Sequence, residues 1–107
     1  MNATVFLLLG TNMGDRNKNL TDTLTAIAKG VGRIRKKSSV YETAAWGKTD
    51  QEPFYNQVIE LETSLHPQQV LYELLAIEQK MGRKRVHTWG ERIIDADILF
   101  YGDEIIE

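Results

Sequence analysis

The order of strand-type and helix-type segments restricts the folds open to this chain more than any other feature. Apolar residues recur every three or four positions in two segments, which predicts helices that end near Gly30 and Gly82. The segments typical of strands are residues 4–9, 33–43, 54–63 and 93–101, and a turn at 102–103 leads into a short last strand. The predicted order is therefore β-α-β-β-α-β, followed by a hairpin.

This order is that of the ferredoxin-like fold, an α+β architecture in which an antiparallel sheet carries both helices on one face. A chain of 107 residues is expected to form one domain, here residues 1–107. The last strand contains Ile105 and Ile106 but is too short to pair well. We therefore expect a domain that is incomplete at its C-terminus and self-associates through that end.

Composition argues against several classes of protein. The net charge of −2 argues against a general nucleic-acid binder, which would usually be basic. The chain has no cysteine, so disulfides and thiolate metal sites are excluded. The first apolar run, Val5 to Leu9, is too short to span a membrane and lacks the flanks of a signal peptide. We expect a cytoplasmic protein without a nucleic-acid or membrane partner.

Asp95 and Asp97 form a carboxylate pair within an otherwise apolar predicted strand. Because strand side chains alternate, both point to one face, and their Cα atoms lie about 6.6 Å apart. Carboxylates this close repel each other unless a cation lies between them, and Mg²⁺ prefers oxygen ligands. The alternative is a pair of solvated carboxylates on the open face of a sheet, and the spacing alone favours neither.

A basic segment between residues 83 and 92 precedes this strand. It contains Arg83, Lys84, Arg85, His87, Trp89 and Arg92. Guanidinium groups bind phosphate oxygens bidentately, although such a run can also be a solvated loop or form plain salt bridges. Carboxylates for a metal next to arginines for phosphate suggest phosphoryl-type transfer. The chain has no Walker A sequence and no kinase loop signature, so any ATP site must have another architecture.

Phe54 and Asn56 open the third predicted strand. Asn56 has the donors and acceptors to bind a flat heterocycle, and Phe54 has a ring that can stack on one. The pattern alone favours the simpler interpretation, in which Phe54 belongs to the core and Asn56 to a turn.

Together these residues resemble the 6-hydroxymethyl-7,8-dihydropterin pyrophosphokinase family of folate biosynthesis. The matching motifs are Gly10-Thr11-Asn12, Tyr41-Glu42-Thr43, Phe54-Tyr55-Asn56, Gly82-Arg83 and the segment from Trp89 to Leu99. The last motif is highly specific, and the resemblance covers essentially the whole chain. The chain departs from the family at Ala44 and Ala45, where prolines are common, and at Ala96, where a larger aliphatic residue is usual. Members of the family also continue for several tens of residues beyond Glu107.

The resemblance implies transfer of pyrophosphate from ATP to the hydroxymethyl group of the pterin, with release of AMP. It also implies two Mg²⁺ ions held by Asp95 and Asp97. The residues that it implies for catalysis are Arg83, Arg92, Asp95 and Asp97. Those that it implies for ATP are Arg83, Arg85, Trp89, Arg92 and Ile98. Those that it implies for the pterin are Thr43, Ala44, Ala45, Trp46, Gly47, Phe54, Asn56, Trp89 and Asp95.

Three hypotheses follow from the sequence. The first is an active pyrophosphokinase. The second is a truncated or degenerate member of the family that binds nucleotide and Mg²⁺ with little or no turnover. The third, a non-catalytic ferredoxin-like module, accounts for the fold but not for the carboxylates and arginines together.

Overall fold

The computed structural model describes residues 2–44, 52–82, 93–102 and 104–105. Its helices are α1 (Arg16–Gly30) and α2 (Pro67–Met81). Its strands are β1 (Ala3–Thr11), β2 (Arg33–Lys37), β3 (Tyr41–Thr43), β4 (Phe54–Thr63), β5 (Asp95–Tyr101) and β6 (Glu104–Ile105). The predicted order of elements is confirmed, and no helix of the described residues is long and apolar enough to cross a membrane.

The strands form one antiparallel sheet with the order β2-β4-β1-β5-β6, and β3 pairs with β4 beyond the end of β2. The helices pack on one face, where α1 contacts β1, β2 and β4 and α2 contacts β5 and α1. This arrangement confirms the ferredoxin-like prediction. The short β6 pairs with β5 only at Phe100 and Tyr101, and Ile106, which was predicted to continue it, lies outside the described residues.

The core lies between the sheet and the two helices. Alternation along the strands points one set of apolar side chains toward the helices. These are Val5, Leu7 and Leu9 of β1, Ile59 and Leu61 of β4, and Ala96 and Ile98 of β5. They pack against Leu20 and Ile27 of α1 and Val70 and Leu74 of α2. The opposite face of the sheet carries no helix in the described part of the chain.

Local hydrogen bonds explain where the helices begin. The side chain of Asp15 accepts from the backbone N–H of Lys18 at 3.1 Å and so caps α1. Pro67 stands at the first turn of α2, where its missing N–H costs nothing. The side chain of Gln69 accepts from the backbone N–H of His66 at 2.8 Å.

The segment 33–43, predicted as one strand, forms two strands instead. Between the pairs Lys37–Ile59 and Tyr41–Asn56, the edge strand advances four residues while β4 advances three. Ser38 lies in this break and stabilises it, because its backbone N–H donates to the Val58 carbonyl at 2.8 Å and its Oγ accepts from the Val58 N–H at 2.9 Å. The break is therefore a bulge-like irregularity in which Val58 of β4 remains hydrogen-bonded to the edge segment.

Candidate functional site

A cleft of about 380 Å³ lies on the helix-free face of the sheet, where β1 ends and β4 and β5 begin. The residues that line it are Leu8, Gly10, Tyr41, Thr43, Ala44, Phe54, Asn56, Asp95 and Asp97. Gly10 pairs with Asn56 on one side and with Asp95 on the other. The antiparallel register therefore brings the residues predicted for a heterocycle and those predicted for a metal into one row.

Gly10 forms the floor of this cleft. A Cβ atom at this position would lie 3.2 Å from Asn56 Oδ1 and 3.7 Å from Phe54 Cδ1. The first distance is shorter than ordinary van der Waals contact, so even a methyl group would press against the Asn56 amide. The absence of a side chain at Gly10 thus leaves a shallow space between Asn56 and the carboxylates.

The Asn56 side chain has a defined orientation. Its Nδ2 donates to Thr43 Oγ1 at 3.0 Å and to the Tyr41 carbonyl at 3.3 Å. With the amide nitrogen engaged by β3, Oδ1 is directed toward Gly10. Asn56 is part of β4 and not of a turn, and Phe54 lines the cleft instead of joining the buried core cluster.

Asp95 and Asp97 both line the cleft, whereas Ala96 and Ile98 point to the core and are only 6% and 8% exposed. The described residues contain no group of three or more acidic, histidine or cysteine side chains that could hold a metal by themselves. Mg²⁺ is commonly bound through one or two carboxylates together with waters and substrate phosphates. The donor set of Asp95 and Asp97 fits a cation that is shared with a phosphorylated ligand.

Glu78 of α2 forms a hydrogen bond to the backbone of β5 at the position between the two aspartates. Its Oε2 accepts from the backbone N–H of Ala96 at 2.7 Å. Glu78 was not among the site residues predicted from the sequence. Its signal was present, because Glu78 follows Leu74 by four positions and therefore lies on the buried face of the helix, where a carboxylate needs a donor.

A second groove, of about 480 Å³, runs along the outer edge of β5 beside α2. It is lined by Pro67, Gln68, Leu71, Ala96, Asp97, Ile98 and Leu99. Within the described residues no strand pairs with this edge before Phe100. Asp97 lines both the groove and the cleft, so the carboxylate pair lies at the boundary between an apolar space and a polar one. Ile98, predicted to contact ATP, belongs to the groove.

The end of β1, the turn after it and the first residue of α1 contact both segments that lead into the cleft. Thr11 Oγ1 donates to the carbonyl of Ile93, just before Asp95. Asn12 Nδ2 donates to the carbonyl of Glu52, and Arg16 donates to that of Pro53. The sequence indicated Gly10-Thr11-Asn12 only as a motif shared with the family and did not predict these contacts. These contacts join positions far apart along the chain, which is why local patterns did not reveal them.

Several predicted site residues lie outside the described part of the chain. They are Ala45, Trp46, Gly47, Arg83, Lys84, Arg85, His87, Trp89 and Arg92. The structure brings together Thr43, Ala44, Phe54, Asn56, Asp95 and Asp97.

Comparison with known proteins agrees with this geometry. Residues 6–106 match the profile of the family described as 7,8-dihydro-6-hydroxymethylpterin-pyrophosphokinase (HPPK). The chain is 43% identical over 104 residues to a 2-amino-4-hydroxy-6-hydroxymethyldihydropteridine pyrophosphokinase of Aquifex aeolicus, covering 97% of this chain and 64% of that protein. It is 38% identical over 108 residues to the protein of the same name from Bacillus subtilis, covering 100% of this chain and 65% of that protein.

A larger relative and a solved structure extend the comparison. The folic acid synthesis protein fol1 of Pneumocystis carinii is 43% identical over 106 residues, which are 98% of this chain and 14% of that protein. A crystal structure of the Plasmodium falciparum HPPK-DHPS protein superposes with a TM-score of 0.76 at 20% identity, covering 96% of this chain and 31% of that chain, and supports the fold. The chain spans about two thirds or less of the length of these relatives. On the profile match and these identities, the chain belongs to the 7,8-dihydro-6-hydroxymethylpterin-pyrophosphokinase family.

Proposed function

We propose that this chain transfers the β,γ-diphosphate of ATP to the hydroxymethyl group of 6-hydroxymethyl-7,8-dihydropterin and releases AMP, as a step of folate biosynthesis. Family membership supports the reaction class. The observation that carries the proposal is the position of Asp97, which lines both the polar cleft and the apolar groove. Two different substrates bound in these two spaces would meet at the carboxylate pair.

The cleft suits a flat, polar heterocycle. Asn56 Oδ1 offers an acceptor beside the glycine floor, and Phe54 supplies an aromatic wall. Thr43 and Ala44 line the same cleft. We therefore assign the pterin to the cleft, with its hydroxymethyl group directed along the row from Asn56 to Asp95. Ala45, Trp46, Gly47 and Trp89 are proposed to complete this subsite.

The groove suits the base of the nucleotide. Leu71 and Ile98 supply apolar walls, and the outer edge of β5, with which no strand of the described residues pairs before Phe100, runs along the groove. A nucleotide whose base occupies this groove directs its phosphates toward Asp97 and the cleft. Arg83, Arg85 and Arg92 precede the same strand in sequence and are proposed to bind these phosphates.

The proposed chemistry requires no covalent enzyme intermediate. The hydroxymethyl oxygen attacks the β-phosphorus of ATP, and the oxygen that bridges it to the α-phosphorus leaves with AMP. Asp95 and Asp97 would hold Mg²⁺, which when bound neutralises phosphate charge and lowers the pKa of a coordinated hydroxyl. Asp95, the carboxylate in the row with Gly10 and Asn56, is proposed as the proton acceptor. The protein then acts by positioning the two substrates and by balancing their charge.

Release of AMP tests this function. The chain is incubated with ATP, Mg²⁺ and the hydroxymethyl pterin, and AMP is followed by chromatography. Asp97→Asn removes the charge at the boundary of the two spaces, so we expect AMP release to fall at least a hundredfold. Asp22→Asn is the matched control, since Asp22 is an exposed residue of α1 that pairs with Lys18 away from the cleft.

AMP release by the unchanged chain that does not exceed that of Asp97→Asn would reject catalysis by this chain. A nucleotide analogue that cannot be cleaved then separates the remaining hypotheses in a titration with and without Mg²⁺. Binding that depends on Mg²⁺, without AMP release, would support the second hypothesis from the sequence. Binding that is independent of Mg²⁺ would reject the metal-binding role of the aspartates.

A further inference from the structure

Arg16 makes a set of contacts that the proposed reaction does not explain. It is the first residue of α1, yet its guanidinium group reaches across to the beginning of β4. Nη1 donates to the Pro53 carbonyl at 2.8 Å, and Nη2 lies 3.5 Å from Glu52 Oε1. The guanidinium carbon is 3.9 Å from the centre of the Tyr55 ring. Arg16 thus contacts the three positions that lead to and flank Phe54.

Burial indicates that these contacts hold the guanidinium group in one place. The Arg16 side chain is only 18% exposed, whereas that of its ionic partner Glu52 is 70% exposed. An exposed ion pair of this kind contributes little. The hydrogen bond to a carbonyl and the stacking on an aromatic face are the stronger contacts, because they are made by a largely desolvated cation.

Asn12, in the turn between β1 and α1, makes a second contact with the segment that leads into β4. It is 5% exposed, and its Nδ2 donates to the Glu52 carbonyl at 3.3 Å. The carbonyls of two consecutive residues, Glu52 and Pro53, are therefore both bound by side chains, one from the turn before α1 and one from its first residue. A segment held at two adjacent carbonyls has little freedom to shift along or rotate about its own axis.

The side chains of β4 alternate between the two faces of the sheet, and this links the Arg16 contacts to the cleft. Tyr55 packs against the core side of the sheet, where Arg16 stacks on its ring, whereas Phe54 and Asn56 face the opposite side and line the cleft. Any rotation at Pro53 or Tyr55 would move Phe54 and Asn56 together. Arg16 therefore affects the cleft from the core side of the sheet and does not line the cleft itself.

We propose that Arg16, assisted by Asn12, is a positioning residue that sets the orientation of Phe54 and Asn56 for the heterocyclic substrate. This inference rests on the proposed assignment of the pterin to the cleft. It implies that loss of the Arg16 contacts weakens binding in the cleft and leaves binding in the β5 groove unchanged. A residue that only stabilises the fold would affect both spaces equally or neither.

Two measurements on three variants test the proposal. Arg16→Met keeps the length of the side chain but removes its charge, its donors and its planar face. Arg16→Lys retains the charge and one donor and serves as the conservative replacement. Arg33→Met is the matched control, because Arg33 is 74% exposed and pairs with Glu62 on β4, away from the cleft.

The first measurement is the Kd of the pterin, followed by its fluorescence in the presence of Mg²⁺ and a saturating ATP analogue that cannot be cleaved. We expect the Kd to rise about tenfold in Arg16→Met, the size of effect that accompanies loss of a charged hydrogen bond. Arg16→Lys should recover part of this loss. The Kd of the ATP analogue with Mg²⁺ should stay within about twofold in all variants.

The second measurement is amide hydrogen exchange without any ligand, which does not depend on the proposed function. Exchange should increase in residues 54–57 of Arg16→Met and remain unchanged in residues 59–63 of the same strand. Exchange in residues 54–57 that matches that of Arg33→Met would overturn the proposal, as would equal losses of pterin and nucleotide affinity. If the unchanged chain binds no pterin, the proposed function is rejected and the exchange comparison alone decides the role of Arg16.

Discussion

Gly10→Ala tests the assignment of the pterin to the cleft, because it adds one methyl group between Asn56 and Asp95. The new Cβ would lie 3.2 Å from Asn56 Oδ1 and 3.7 Å from Phe54 Cδ1. Asn56 cannot swing away freely, since its Nδ2 is bound to Thr43 Oγ1 and to the Tyr41 carbonyl. Relief of the close contact therefore requires a shift that weakens one of these hydrogen bonds.

The effect on stability should be small, since two contributions oppose each other. Weakening one hydrogen bond of Asn56 costs about 1 kcal/mol. Replacing a glycine whose φ is not positive by alanine stabilises the folded state by about 0.4–1 kcal/mol, because the unfolded chain becomes less flexible. We expect the free energy of unfolding in urea to change by less than about 1 kcal/mol.

The effect on binding should be large by comparison. The methyl group raises the floor of the cleft and displaces the Asn56 acceptor, so we expect the pterin Kd to rise at least tenfold while that of the ATP analogue with Mg²⁺ is retained. Gly30→Ala is the matched control, since its Cβ would meet only the flexible end of Glu73 at 3.4 Å, at the far end of α1. An unchanged pterin Kd in Gly10→Ala would refute the assignment of the pterin to this cleft.

Two further predictions concern contacts outside the cleft. Glu78→Leu leaves the Ala96 N–H without its acceptor, which should lower the free energy of unfolding by about 1–3 kcal/mol, whereas Glu78→Gln retains an acceptor and should cost less, both measured in urea. The hydrogen bond from Arg33 lowers the pKa of Glu62, so this contact stabilises the fold above the ordinary pKa of 4.5 and is lost as the pH falls below it. The stability difference between the unchanged chain and Arg33→Met should therefore shrink as the pH falls below 4.5, and a difference that persists in acid would contradict this origin.

The order of elements could be predicted from sequence because it depends on local patterns. Helical spacing, the N-cap at Asp15, the proline at the first position of α2 and the alternation around Asp95 are each encoded within a few residues. The direction of the two aspartates follows from the same alternation, and the cleft confirms that they share a face. Their predicted role in metal binding remains a prediction.

Contacts between distant segments could not be predicted in this way. The row from Asn56 through Gly10 to Asp95 depends on the registers of two strand pairs, and the Arg16 hydrogen bond joins residues 37 positions apart.

Leu71 and Leu75 show that a local pattern can also suggest burial that the structure does not have. Their helical spacing places them in the apolar stripe of α2, but they are 49% and 53% exposed, because the described part of the chain places no element over that side of the helix. Hydrophobic periodicity identifies an apolar face but does not say what covers it.

The alternation along β5 also separates stability from function at the level of single residues. Ile94, Ala96 and Ile98 pack toward the helices, so enlarging or truncating them changes core packing. Asp95 and Asp97 face the cleft. Repulsion between two carboxylates this close does not stabilise the folded state. Neutralising Asp97 should therefore leave the fold at least as stable as before while weakening the binding of Mg²⁺ and nucleotide. Because their mutual repulsion does not stabilise the sheet that carries them, the prediction that the two carboxylates serve binding accounts for their presence on β5.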